Sequence, residues 1–163
     1  RLVYLSRAEE QEDAFVKIVF PVSDVAEEMA QSYRSVAESS GRAYAVEIRE
    51  GLSCRGDERA IRELMAALLD NAFRYSPAGG DVSVRLDAEG HGVRFTVENT
   101  ASGIEPEQLE RLAERFYRAD VSGGSEGFGL GLSIVRAIAA AHGGKLTMEL
   151  PEEGRIRISA TLK

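Results

Sequence analysis

The chain has 163 residues, of which 44% are hydrophobic and 29% charged, so it is expected to fold as one domain with a full buried core. Twenty basic and 27 acidic residues give a net charge of −7, which argues against a general nucleic-acid binder and against attachment to an anionic membrane surface. A single cysteine, Cys54, and two histidines exclude an internal disulfide, a cysteine-based zinc site and a histidine metal cluster, consistent with a reducing compartment.

Hydrophobic periodicity divides the chain into strands and helices. Alternating or β-branched residues predict strands over residues 15–20, 43–48, 52–55, 81–86, 93–98, 146–150 and 156–162. Helical spacing predicts one helix capped by Ser23 or Asp24 and ending at Gly41, one from Asp57 to Ser76, a short one starting at Pro106, and one from Leu130 to Ala141. The economical packing is an α+β fold, a two-layer α/β sandwich in which about three helices cover one face of a mixed sheet.

Three glycines, Gly127, Gly129 and Gly131, alternate with apolar residues immediately before the last predicted helix. A glycine-rich turn at a helix N-terminus presents unpaired backbone N–H groups beside the positive end of the helix dipole, which favours phosphate. The glycine- and serine-rich residues 121–126 predict a mobile loop in front of it. A flexible connection without a ligand is the alternative interpretation.

Asn71 projects, at about 100° per residue, with the apolar Leu64 and Leu68 on one face of the longest predicted helix. Burying this amide without partners would cost about 1 to 3 kcal/mol, so it must bond to the protein or face a ligand. On the flank of this face, Arg74 could meet a phosphate and Tyr75 could stack on a base. A backbone-bonded amide, a solvated arginine and a core tyrosine are the alternatives.

A polar segment, residues 99–104, follows the strand that ends at Glu98. Asn99 at the strand end and Gly103, which permits close backbone approach, could read a flat heterocycle. The same pattern also suits an ordinary exit from a strand into a loop.

Four segments in this order resemble the motifs of the ATP-binding domain of bacterial sensor histidine kinases, a branch of the GHKL superfamily with a Bergerat-type fold. Residues 68–76 (LLDNAFRYS) resemble the N box and residues 97–104 (VENTASGI) the G1 box. Residues 114–120 (ERFYRAD) resemble the F box and residues 127–135 (GFGLGLSIV) the G2 box. The resemblance extends from about residue 15 to residue 162.

The resemblance implies a role for each matching residue. Asn71 would hold a Mg²⁺ ion that bridges the phosphates of ATP, Arg74 and Arg118 would approach those phosphates, and Asn71, Arg74 and Arg118 would be the catalytic residues. Asn99 would accept a hydrogen bond from the adenine amine, and residues 118–126 would form the ATP lid. The implied nucleotide-binding residues are Asn71, Arg74, Tyr75, Asn99, Gly103, Ile104, Arg118, Gly127, Gly129, Leu130, Gly131 and Leu132.

The chain departs from the family pattern at several positions. Asn99 stands where the family usually has Asp, and Ala101 replaces the first glycine of the G1 box. Ala67 stands where hydrolysing relatives such as gyrase carry the Glu that activates water. Residues 119–134 contain no Lys or Arg, so charge on the γ-phosphate would be met by Arg74 and Arg118.

Neither histidine is expected to accept a phosphoryl group, because His91 lies in a hairpin turn and His142 at a helix end before two glycines. The resemblance therefore implies the catalytic domain, residues 15–163, of a protein-histidine kinase that phosphorylates a histidine on a separate dimerisation domain. Residues 1–14 would be the end of the dimerisation helix and the linker.

The remaining expectations concern the parent protein. We expect a monomeric fragment from a homodimeric parent, a response regulator as partner, no nucleic-acid partner, and a cytoplasmic location beneath a membrane anchor. A self-contained GHKL ATPase and a degenerate interaction module without nucleotide are the alternative functions.

Overall fold

The computed structural model describes residues 15–101 and 128–163, with the backbone alone for residues 128–131. The strands are β1 (Ile18–Phe20), β2 (Ala43–Ile48), β3 (Cys54–Gly56), β4 (Asp81–Glu89), β5 (Gly92–Thr100), β6 (Leu146–Glu149) and β7 (Arg155–Leu162). The helices are α1 (Val22–Gln31), α2 (Arg34–Ser39), α3 (Glu58–Tyr75) and α4 (Phe128–Ala141). None of these four helices is both long enough and apolar enough to cross a membrane. The predicted helix at Pro106 and residues 1–14 lie outside the described residues.

Five strands form a mixed sheet in the order β2-β4-β5-β7-β6. Strands β2 and β4 are parallel, and the other neighbours in this sheet are antiparallel. Strand β7, late in the sequence, therefore lies between β5 and β6. Strands β1 and β3 form a separate two-stranded antiparallel sheet.

The core lies between the helices and one face of the five-stranded sheet. Along β5, Val93, Phe95 and Val97 are buried and face the helices, as period-2 alternation requires. The opposite face carries polar and charged residues such as Arg94 and Glu98. The predicted α+β architecture, a mixed sheet with helices on one face, is confirmed.

Helix α3 follows the sequence pattern closely. The side chain of Asp57 accepts a hydrogen bond from the N–H of Ala60 at 3.0 Å, which confirms Asp57 as the N-cap. The helix ends at Tyr75, and its C-cap Ser76 has an extended ψ of 140°, the conformation favoured before Pro77. Its apolar face is buried against the sheet and α4, and each fully buried Leu or Ile there stabilises the fold by about 1.5 to 3 kcal/mol.

The single helix predicted from Ser23 or Asp24 to Gly41 is wrong. Two helices occur, separated at Ser32 and Tyr33, and the N-cap of the first is Pro21. Ser23 does not cap because its hydroxyl donates to the carbonyl of Arg49 and accepts from the N–H of Leu52. These long-range hydrogen bonds outweigh the local capping preference.

Several strand boundaries also differ from the sequence prediction, most clearly in β1 and in the β4–β5 hairpin. Strand β1 is shorter than residues 15–20, because its partner β3 offers only three residues and Val16 donates instead to the Asp57 carboxylate at 3.0 Å. The β4–β5 hairpin is longer, since its register continues to Glu89 opposite Gly92, with Gly90 at a φ of 57° in the turn.

Candidate functional site

Asn71 lies on the buried face of α3, and its side chain is only 9% exposed. Within the described residues, its amide forms no hydrogen bond, although a buried amide normally has partners. The neighbouring carboxylate of Asp70 points elsewhere and accepts from the hydroxyl of Tyr33 at 2.6 Å. Asn71 is therefore the residue on this helix whose polar group is left for something outside the described protein.

Measured along the axes of the two packed helices, the start of α4 lies at the same height as Asn71. Asp57, directly before α3, donates its N–H to Nε2 of His142, directly after α4, at 3.0 Å, and the two helices pack against each other. Asn71 lies fourteen residues after Asp57, and Phe128 fourteen residues before His142. At 1.5 Å per residue, both are about 21 Å from this common junction. The helix pair thus brings the N-terminus of α4 to the level of Asn71.

The glycine turn is shorter than the sequence predicts, because α4 begins at Phe128 and includes Gly129 and Gly131. Both glycines therefore belong to the first helical turn, and the N–H groups at the start of that turn have no intrahelical acceptor. Leu132 is fully buried in the core, so it could meet a ligand only through its backbone. Gly127, and with it the loop of residues 121–126, lies outside the described residues, as does the side chain of Leu130.

Asn99 lies near the end of β5, on the face that packs against the helices, and is 2% exposed. Its Nδ2 donates to the carbonyl of Thr100 at 2.8 Å, which leaves Oδ1 as the acceptor. The end of β5 lies beside the start of β4, five residues after Ser76, because the N–H of Asp81 donates to Thr100 Oγ1 at 3.0 Å. Asn99 and the C-terminal end of α3 therefore lie at the same end of the sheet, where β4 begins and β5 ends.

An ionic cluster on the opposite face of the sheet fixes the strand that carries Asn99. Arg155 binds the carboxylates of Asp81 at 2.8 Å and Glu98 at 2.6 Å, and Arg157 binds Glu98 at 3.0 Å. Burial alone would raise the pKa of Glu98, but the hydrogen bonds from both arginines lower this pKa on balance. These ion pairs thus stabilise the C-terminal end of β5 from the face of the sheet opposite to the one on which Asn99 lies.

Arg74 and Tyr75 lie at the C-terminal end of α3 and are exposed, Tyr75 by 41%. In the described part of the chain, no carboxylate lies within ion-pair distance of Arg74. Both residues lie about one helical turn after Asn71. The other predicted residues, Gly103, Ile104 and Arg118, lie outside the described residues.

His142 is a structural residue, as the sequence predicts. It is buried, its Nδ1 donates to the carbonyl of Ile138 at 2.8 Å, and its Nε2 accepts from Asp57. Burial lowers its pKa, so the ring is the neutral tautomer with the proton on Nδ1. Both ring nitrogens are occupied, and neither is placed to accept a phosphoryl group.

Two contacts at α3 were not foreseen from the sequence. Tyr33 bonds to Asp70, and burial together with this bond raises the pKa of Tyr33, which keeps its hydroxyl a donor. Arg42 bonds to Ser76. Each contact joins residues more than thirty positions apart, and no local pattern indicates such a pair.

The geometry can be compared with known proteins. The family model described as "Histidine kinase-, DNA gyrase B-, and HSP90-like ATPase" matches residues 56–163. The chain is 41% identical over 130 residues to the probable sensor protein PcoS of Escherichia coli, a match covering 78% of this chain and 27% of PcoS. It is 34% identical over 158 residues to the sensor histidine kinase CusS of Escherichia coli K12, covering 94% of this chain and 32% of CusS.

Solved structures show the same fold. The histidine kinase AdeS of Acinetobacter baumannii superposes with a TM-score of 0.75 at 21% identity, over 99% of this chain and 74% of that one. The chain spans about a third or less of the length of the two curated relatives named above, PcoS and CusS.

Proposed function

This chain belongs to the family of histidine kinase-, DNA gyrase B- and HSP90-like ATPases, and from that premise we propose that it binds Mg-ATP and donates the γ-phosphoryl group to a histidine on a separate dimerisation domain. The family accounts for ATP binding. The observation that supports the proposal most is the Asn71 amide, which has no hydrogen-bond partner among the described residues and lies level with the N-terminus of α4. Positioning and charge stabilisation are the main demands of phosphoryl transfer.

The donor set around Asn71 suits Mg²⁺. The ion accepts hard oxygen ligands and usually combines one or two protein oxygens with phosphate oxygens and water. Residues 15–101 and 128–163 contain no group of three His, Cys, Asp or Glu side chains that could form an all-protein cage. Among these residues, the side-chain oxygen of Asn71, Oδ1, would therefore be the protein ligand of the ion. The bound ion would neutralise charge on the phosphates.

The remaining residues would bind the nucleotide around that point. The first-turn N–H groups of α4, including those of Gly129 and Gly131, would bind phosphate oxygens, with Arg74 and Arg118 adding positive charge. Asn99 would accept from the adenine amine through Oδ1, and Tyr75 would lie against the base. Gly127, Leu130, Leu132, Gly103 and Ile104 are proposed to complete this site.

The phosphoryl acceptor is proposed to lie on another domain, because His142 is buried with both nitrogens bonded and His91 lies in the β4–β5 turn. The curated relatives are sensor proteins, and by that likeness the parent would be a membrane-anchored homodimer whose catalytic domain is cytoplasmic. A response regulator would then receive the phosphoryl group from the acceptor histidine.

Titration calorimetry with a non-hydrolysable ATP analogue, with and without Mg²⁺, tests the binding step. We expect saturable binding that strengthens with Mg²⁺. No binding in either condition would overturn the proposal and favour an interaction module. Mixing the chain with its separate dimerisation domain and Mg-ATP tests the transfer step. Failure to form phosphohistidine despite nucleotide binding would overturn the proposed kinase activity.

A self-contained ATPase would need a carboxylate that activates water on α3. Ala67 provides none, and Asp70, one turn on, already accepts from the Tyr33 hydroxyl. We therefore expect only trace hydrolysis by the chain alone. Steady ATP hydrolysis that persists after further purification would support the ATPase instead.

A further inference from the structure

Arg42, directly before β2, binds the C-terminal end of α3. Its Nε donates to Ser76 Oγ and its Nη2 to the Ser76 carbonyl, both at 2.6 Å. Two donors of one guanidinium therefore bind one residue, which fixes both the distance and the orientation of that residue. Ser76 is 3% exposed and Arg42 is half-buried, so these hydrogen bonds are partly shielded from water.

The end of α3 needs such a partner. The last carbonyls of a helix have no intrahelical donor, and Pro77 supplies no N–H to continue the helix. The Ser76 N–H still closes the helix by donating to the Ala72 carbonyl at 3.0 Å. Arg42 satisfies the buried carbonyl and places a positive charge at the negative end of the helix dipole.

The same segment also holds the connection that follows α3. The N–H of Ala43, next to Arg42, donates to the carbonyl of Gly80 at 3.1 Å. One turn before Ser76, the ring of Phe73 stacks on Tyr33, with centroids 5.8 Å apart. Contacts on both sides thus define the last turn of α3, which carries Arg74 and Tyr75.

We propose that Arg42 is a positioning residue of the nucleotide site, acting through Ser76 to hold Tyr75 and Arg74 in their binding orientations. The inference rests on the proposed function, because it assigns these two side chains to the nucleotide. Arg42 itself touches no substrate. Its contribution should therefore appear as nucleotide affinity that depends on Tyr75, in addition to any change in stability.

The test measures the Kd of the Mg²⁺ complex of a non-hydrolysable ATP analogue by calorimetry, well below the unfolding transition of each variant. Arg42→Gln is expected to raise Kd about tenfold, since it loses charge-assisted hydrogen bonds. Arg42→Lys should raise it less, about threefold, because an ammonium cannot reproduce the two-donor fork. If Arg42→Gln does not fold, Ser76→Ala removes one of the two acceptors and is expected to raise Kd two- to threefold, roughly.

Arg62→Gln is the matched control. Arg62 is also an arginine with two acceptors near α3, binding Glu28 at 2.8 Å and Glu58 at 3.1 Å, but it lies in the N-terminal half of the helix. We expect its loss to leave Kd unchanged within about twofold. An equal rise in Kd for both variants would show a general loss of structure and overturn the proposal.

A double-mutant cycle provides a readout that a merely structural role would not change. In a Tyr75→Ala background, Arg42→Gln should raise Kd by less than about threefold, because the side chain that Arg42 positions is gone. The same tenfold loss in both backgrounds, or no loss in either, would overturn the positioning role while leaving ATP binding intact. A wild-type chain that binds no nucleotide would overturn both proposals.

Discussion

The two ends of the α3–α4 helix pair are built in opposite ways. At the junction end, formed by Asp57 and His142, the polar groups are paired: Asp57 caps α3, His142 bonds to Asp57 and Ile138, and Lys17 Nζ donates to the Ala141 carbonyl at 2.6 Å. At the open end, formed by Asn71 and Phe128, an amide lacks a partner within the described residues and a helix begins with alternating glycines.

This difference separates the residues that stabilise the fold from those that bind a ligand. A buried polar group without a protein partner costs free energy, and it persists where a ligand supplies the missing bond. Substitutions at the open end should therefore change affinity with little effect on stability. Substitutions at the junction end should do the reverse.

Asn71→Ala is expected to have the largest effect. Loss of the only proposed protein oxygen for Mg²⁺ should weaken metal-dependent nucleotide binding about a hundredfold, or about 2.7 kcal/mol. The free energy of unfolding should change by less than about 1 kcal/mol, because no hydrogen bond within the described protein is lost. Calorimetry and urea unfolding measure the two quantities. Unfolding of this variant with retained affinity in its folded fraction would reverse the assignment of Asn71.

His142→Phe should show the opposite pattern. The ring is replaced by one of similar size, but the buried N–H of Asp57 loses its acceptor, which should lower the free energy of unfolding by about 2 kcal/mol. Nucleotide affinity of the folded protein should remain within about twofold. The control is His91→Gln in the β4–β5 turn, for which we expect a change below about 0.5 kcal/mol.

The pH dependence of stability should also reflect the junction end. Burial lowers the pKa of His142 below its ordinary value of 6.5, so the unfolded chain binds a proton at a pH where the folded chain does not. Stability is therefore fully present above pH 6.5 and falls as the pH drops toward the folded pKa, by at most about 1.4 kcal/mol per pH unit from this residue. Urea unfolding between roughly pH 7.5 and 5.5 should show this slope, which is reduced in His142→Phe. Identical slopes in the two proteins would exclude His142 as the source.

Asp57→Ala is expected to have the smallest effect. It removes the N-cap of α3 and the acceptor of the Val16 N–H, and should lower the free energy of unfolding by about 1 kcal/mol. Asp57→Ser retains a capping oxygen and should recover most of this loss. Equal destabilisation by Ala and Ser would show that the carboxylate stabilises this end through its charge or its bond to the Val16 N–H, rather than through the cap.

The sequence predicted those parts of the fold that depend on local patterns. Helix α3 was predicted from its apolar spacing, its Asp57 cap and the stop at Pro77, because each signal acts within a few residues. Asn71 could be selected because one amide interrupts an otherwise apolar face. That it has no partner among the described residues could be seen only in the structure, since the alternative, an amide bonded to nearby backbone, has the same sequence pattern.

The sequence could not predict features that depend on distant partners. Ser23 has the composition of an N-cap, yet its hydroxyl bonds to β2–β3 connection residues instead. The break at Tyr33 coincides with the bond from this side chain to Asp70. Arg42 lies directly before a strand, and no local pattern indicates that it binds Ser76. In each case a tertiary contact decides against the local preference.

The position of β7 has a consequence for how the chain is made. Strand β5 pairs with β7 through eight residue pairs, from Val93–Leu162 to Thr100–Arg155, although more than fifty residues separate the two strands in the sequence. During synthesis, the edge of β5 that faces away from β4 must therefore stay unpaired until residues 155–162 leave the ribosome, and this strand carries the apolar Phe95 and Val97. A ribosome stalled before Arg155 would hold a nascent chain whose β5 edge can pair with other chains, and chaperone demand for this domain should be concentrated in that interval.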